Sequence, residues 1–187
     1  MDARNRRSAS ASSAPSIFVI RPFSISSLIG LAKNGAMPMW RDHQLNMRSK
    51  MNVPEVFEGL AERKVAFCNI DQPLFRGSLG RTDEVTARVG YVRLHGRNAA
   101  DWFREDAGPD ERYNYLYTVD ELDEWLKKID RIRRRAAEVY VITNNHFAGQ
   151  AIVNAFEIMF GLGQRGLRPP DSLVQHYPRL NKVIEGA

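Results

Sequence analysis

Gly90-Tyr91-Val92-Arg93-Leu94 runs straight into His95-Gly96-Arg97-Asn98, so an apolar, β-prone segment turns polar at its C-terminal end. Strand alternation places Tyr91, Arg93 and His95 on one face and Val92 and Leu94 on the other. Two further segments repeat the design. Residues 64–70 form a short apolar run closed by Asp71-Gln72-Pro73, and residues 138–143 form another closed by Asn144-Asn145-His146. Helical patterns flank these runs. Asn52-Val53-Pro54-Glu55 opens a helix reaching about Arg63, and Thr118-Val119-Asp120-Glu121 is a capping box for a helix reaching about Ala136. The second helix carries the stripe Val119, Leu122, Trp125, Leu126, Ile129 and Ile132. A third helical stripe, Ala148 to Met159, ends at Gly161 and Gly163. Strands alternating with helices predict parallel strands joined by crossovers, hence an α/β barrel or open sheet.

The chain has 187 residues, of which 43% are hydrophobic and 26% charged, the composition of one folded domain and not of a disordered or multi-span membrane protein. Its net charge of +5 is unevenly distributed: residues 1–50 sum to +6 and residues 51–187 to −1. Nucleic-acid binding by the body is therefore not expected, and Arg131, Arg133, Arg134 and Arg135 read as a solvated helix end. The single cysteine, Cys68, lies in an apolar run and reads as a buried small hydrophobe. Residues 1–16, rich in Ser, Ala and Arg, read as a disordered leader, and residues 17–46 as a poorly defined segment. Arg21-Pro22 interrupts the apolar stretch there, which argues against a membrane span and makes a cytoplasmic location the expectation. Residues 47–187 form the expected domain.

In α/β folds ligands sit where the parallel strands end, so the polar strand ends are the candidate site. Asp71, Arg93, His95 and His146 are the candidate catalytic residues, and Arg97, Asn98, Tyr115, Asn144 and Asn145 the candidate ligand-binding residues. Asn69 and Asp71 are expected on the same face as Arg93. A guanidinium turned toward a barrel interior needs an acid or an anion, so Arg93 predicts either an ion pair with Asp71 or an anionic ligand. Asp71, His95 and His146 are also chemically able to hold zinc or manganese, although no local metal motif supports this and no metal is assigned. Trp102 and the alternating Tyr113, Tyr115 and Tyr117 read either as a stacking surface for a sugar or base or as packing for a long loop. No GxGxxG, GxxxxGK[ST] or GxSxG loop is present, and no cofactor is implied.

The block at residues 91–98, the segment Tyr113-Asn114-Tyr115-Leu116-Tyr117-Thr118, and Thr143-Asn144-Asn145-His146 followed by Asn154-Ala155 resemble the C-terminal half of the YecE-like family, called domain of unknown function 72. The resemblance covers about residues 47–163 and implies a TIM-barrel-like fold with a polar cleft at the strand ends. Residues 1–46 show no likeness to that family's N-terminal half, so the expectation is a partial, truncated TIM-barrel-like α/β fold. The functional expectation is an enzyme acting on an anionic or phosphorylated small molecule or sugar. The alternatives are a non-catalytic fragment or interaction module, and a metal-dependent hydrolase or isomerase. An uncovered sheet face, including Val65, Phe67, Tyr91, Tyr140 and Ile142, further predicts self-association.

Overall fold

Four parallel strands form one sheet in the computed structural model, which describes residues 17–22, backbone only, and 53–186. They are β1 (Ile17–Pro22), β2 (Cys68–Asp71), β3 (Val89–Leu94) and β4 (Glu138–Thr143), in the order β1-β4-β3-β2. The helices are α1 (Val53–Glu62), α2 (Ala99–Trp102), α3 (Pro109–Arg112), α4 (Val119–Arg133), α5 (Gln150–Gly161), α6 (Asp171–His176) and α7 (Asn181–Glu185). The leader and most of the 17–46 segment, with the expectations placed on them, lie outside the described residues. Within that segment β1 was not expected. It pairs with β4 from Ile17 opposite Glu138 to Pro22 opposite Thr143.

The parallel register fixes which residues share a face. Asp71 stands opposite Leu94, which stands opposite Thr143, whereas Ile70, Arg93 and Ile142 form the neighbouring row. Val92, Leu94, Val139 and Val141 pack against Leu122, Trp125, Ile129 and Ile132 of α4 and Ile158 of α5, with Tyr117 buried among them. This is the main core, and it lies on the helix side of the sheet. Gly90 is the closest approach of sheet and helix: a Cβ there would meet Ile132 Cγ2 at 2.3 Å. The outer side of α5 closes on the C-terminal segment through Val153, Leu167, Leu180 and Val183.

Three expectations need correction. Asn69 and Asp71 face the helices and not the side of Arg93, because they share rows with Val92 and Leu94. Phe67 stacks edge-on against Phe57 of α1, with ring centres 4.9 Å apart, and so packs on a helix instead of standing uncovered. Strand and helix also fail to alternate between β2 and β3, where residues 72–88 contain no helix. Side chains hold that connection instead: the Asn69 amide donates to the carbonyls of Glu84 and Tyr91, and its oxygen accepts from the Glu84 N–H and the Thr82 hydroxyl. Thr86 adds a clasp, accepting from Phe67 N and donating to Val65 O.

The arginines at the end of α4 are engaged with acids and backbone. Arg131 pairs with Asp83, Arg134 with Asp130, and Arg135 donates to the Asp83 carbonyl.

Candidate functional site

The strand ends carry two polar clusters on opposite faces of the sheet. On the helix side, Asp71 is fully buried and accepts from Arg81 Nε at 2.7 Å, from Arg97 Nε at 2.9 Å and from the Trp125 indole N–H at 2.6 Å. The Arg97 guanidinium also donates to Glu121 Oε1 and Glu124 Oε2, at 3.0 and 3.1 Å. Burial alone would lower the pKa of Arg97, but hydrogen bonds and charge from Asp71, with Glu124 and Glu121, overcome it and raise it. Around this ion cluster stand two phenols. Tyr115 donates to Glu121 Oε1 at 2.7 Å, and burial together with that bond pushes its pKa up to about 12. Tyr117, buried, has its pKa raised mainly by desolvation, and its oxygen accepts from the Gly96 N–H at 2.9 Å. Gly96 has φ +95°, and a Cβ there would lie 2.7 Å from Tyr115 Cβ, so only glycine fits this turn.

The other cluster follows from the row of Arg93. Arg93 Nε donates to Asn144 Oδ1 at 3.1 Å, tying the end of β3 to the residue after β4. Asn144 is itself placed by its N–H, which donates to Leu94 O at 2.7 Å. Above them the aromatic rings close up. His95 lies 6.1 Å from Trp102 and 5.8 Å from Tyr113, and Tyr113 lies 5.3 Å from His146. His146 Nδ1 is 2.9 Å from the Asn144 carbonyl, which can only accept, so Nδ1 carries the hydrogen and Nε2 holds the lone pair of the neutral ring. Asp110 Oδ1 stands 3.6 Å from Nε2, positioned to support an imidazolium. This cluster combines a guanidinium, an amide, two imidazoles and the rings of Trp102 and Tyr113, packed edge-on and tilted against one another. Chemically it suits recognition of an anion attached to a ring, with His146 able to take up a proton.

The nine candidate residues therefore separate. Arg93, His95, Asn144 and His146 come together on one side of the sheet. Asp71, Arg97 and Tyr115 assemble on the other as a closed ion cluster, so Asp71 is not the partner of Arg93, and the set Asp71, His95 and His146 does not converge as metal ligands. Among the described residues no group of three His, Cys, Asp or Glu side chains is placed to hold a metal ion. Asn98 donates to Asp101 Oδ2 and to Glu111 O, bracing α2 against α3. Asn145 is buried on the helix side and donates to Tyr115 O and Asn154 Oδ1. Sequence reasoning missed Arg81, Glu124 and Asp110, whose loop or surface positions carry no pattern. It also took Glu121 only as a helix cap, whereas its Oε2 serves the cap and its Oε1 serves Arg97 and Tyr115.

A parallel sheet packed on helices, with polar groups gathered at its strand ends, defines an α/β protein. The family described as "Protein of unknown function DUF72" matches residues 40–177, and the chain belongs to that family. It is 34% identical over 71 residues to the UPF0759 protein YunF of Bacillus subtilis, covering 36% of this chain and 25% of that protein. Among solved structures it resembles a DUF72 family protein from Thermotoga maritima at 34% identity and a TM-score of 0.55, over 59% of this chain and 41% of that one. A DUF72 family protein from Enterococcus faecalis shares the fold with a TM-score of 0.59 at 22% identity, over 83% of this chain and 62% of that one. The chain thus spans between a quarter and about three fifths of the length of these relatives.

Proposed function

We propose that the strand-end cluster around Arg93 is the ligand cleft of a TIM-barrel-type enzyme acting on an anionic small molecule, a phosphorylated sugar or a compound of the same chemistry. The observation that carries this reading is the ring cluster of His95, Trp102, Tyr113 and His146, joined through His146 and Asn144 to the Arg93–Asn144 pair. In this reading Arg93 meets the anion, Asn144 orients the guanidinium, and the aromatic faces stack on the ring of the substrate. His146 accepts a proton at Nε2, and Asp110 stabilises the resulting charge. The barrel reading draws support from the strand order. β1 precedes β2 in the chain yet lies beside β4 at the opposite edge, as the first and last strands of a closed barrel do.

Calorimetric titration with inorganic phosphate and with paired phosphorylated and unphosphorylated hexoses tests it. Binding of the phosphorylated members, weakened at least tenfold by Arg93→Met, is expected. Equal binding by the R93M protein would overturn the assignment.

A further inference from the structure

Asn154, on α5, joins through its side-chain amide the two loops that form the cluster around Arg93. Its Oδ1 accepts from Asn145 Nδ2 at 2.7 Å and from the Tyr117 N–H at 3.3 Å, and its Nδ2 donates to Glu157 Oε2 at 3.1 Å. Asn145 in turn donates to the Tyr115 carbonyl at 2.7 Å. Asn145 sits between Asn144 and His146, and the 115–117 segment begins two residues after Tyr113. One buried amide therefore ties the loop after β4 to the chain that carries the aromatic wall. All three participants, Asn145, Asn154 and Glu157, are buried.

The amide has only one workable orientation. Rotated by half a turn, its NH2 would face two other donors, Asn145 Nδ2 and Tyr117 N–H, and its oxygen would face the Glu157 carboxylate. Glu157 is held in place by Arg179 Nε at 2.9 Å and Lys182 Nζ at 3.4 Å, so the C-terminal segment fixes the carboxylate that fixes the amide. Leucine at 154 would leave the Asn145 and Tyr117 donors short of an acceptor. Aspartate would set a second carboxylate against Glu157.

We propose that Asn154 is a positioning residue for the strand-end site, setting the separation of its two walls by locking the 144–146 loop to the 113–117 segment. The consequence is local: Tyr113 and His146 stay in ring contact, and Asn144 stays under Arg93. This inference rests on the proposed cleft for its functional meaning, but its geometry can be read without any ligand.

The experiment compares Asn154→Ala with Glu157→Gln by NMR. E157Q keeps an acceptor for the Asn154 amide while losing the charge that pairs with Arg179 and Lys182. Both proteins should melt below the parent. Only N154A should lose the nuclear Overhauser contact between the Tyr113 and His146 rings and shift the Arg93 Nε–H resonance. Asn145→Ala, which breaks the same link from the other side, should reproduce these changes and serves as the readout if N154A does not fold. In a titration with inorganic phosphate, N154A should bind about tenfold more weakly and E157Q within twofold of the parent. Retention of the ring contact and the Arg93 resonance in N154A and N145A would overturn the proposal, as would their equal loss in E157Q. Absence of phosphate binding by the parent protein would count against the anion cleft alone, because the ring contact still decides the positioning role.

Discussion

Two arginines four residues apart have opposite duties, because β3 ends at Leu94 and the positive-φ turn at Gly96 breaks the alternation that would have kept them on one face. Arg97 is spent inside the protein, on Asp71, Glu121 and Glu124, whereas Arg93 lies on the far face with Asn144. Asp71→Asn should therefore lower stability by about 2 kcal/mol, because it removes the buried carboxylate shared by the half-buried cations Arg81 and Arg97. Chemical denaturation of D71N measures this, and a change below about 1 kcal/mol would show the cluster to be incidental. Tyr115 gives a second residue-level test. Its pKa rises from 10.0 to about 12 in the folded protein, so the native state keeps the proton longer than the unfolded chain does. Its contribution is complete below pH 10 and is lost as pH climbs toward 12. Tyr115→Phe should flatten the fall in stability between these values, and an unchanged alkaline limb in its denaturation profile would contradict the Glu121 contact.

At the scale of elements, α4 was the most legible part of the sequence because its start is written in local chemistry. Thr118 accepts from the Glu121 N–H while Glu121 accepts from the Thr118 N–H, and the expected stripe is buried at Leu122, Trp125, Ile129 and Ile132. Removing the cap with Thr118→Ala should cost about 1 kcal/mol and lower the melting temperature by roughly 2–4 °C. Calorimetry showing no shift would mean that packing alone sets the helix start. β4 was equally plain, a run of β-branched and aromatic residues with the expected bounds Glu138–Thr143. The face of β2 was not. With only Cys68–Asp71 in the strand, alternation cannot be read from hydrophobicity when the helix-facing residues are Asn69 and Asp71. Those two are polar because they hold a loop and an ion cluster where a crossover helix would otherwise lie. The site was legible as a set of strand ends, and its division between two faces was not, since that depends on register between strands distant in sequence. β1 escaped notice because its pairing with β4 crosses more than a hundred residues of chain.

For the molecule as a whole, the main core of the described residues lies on the helix side of the sheet, and parallel sheets are stable when both faces are covered. Ile70, in the row of Arg93, is 38% exposed on β2, one of the two edge strands of the described sheet. Leu74, Phe75 and Phe103 are exposed beyond the same strand ends. No helix among the described residues is long and apolar enough to cross a membrane. A parallel sheet with such an edge should pair with another copy, so light scattering on the purified chain is expected to give a mass above the 21.3 kDa of one copy. A monodisperse monomer that melts cooperatively would favour a self-sufficient open α/β domain over a barrel.

In the proposed cleft the anion meets Arg93, on the face away from the Asp71 cluster. The most direct test follows the guanidinium Nε–H resonances of all arginines by 15N NMR while inorganic phosphate is added. A saturable shift of Arg93 is expected, with the imidazole signals of His95 and His146 moving in step and Arg97 unmoved. A saturable shift of Arg97 with Arg93 unmoved, or phosphate shifts confined to surface arginines such as Arg134, would contradict it.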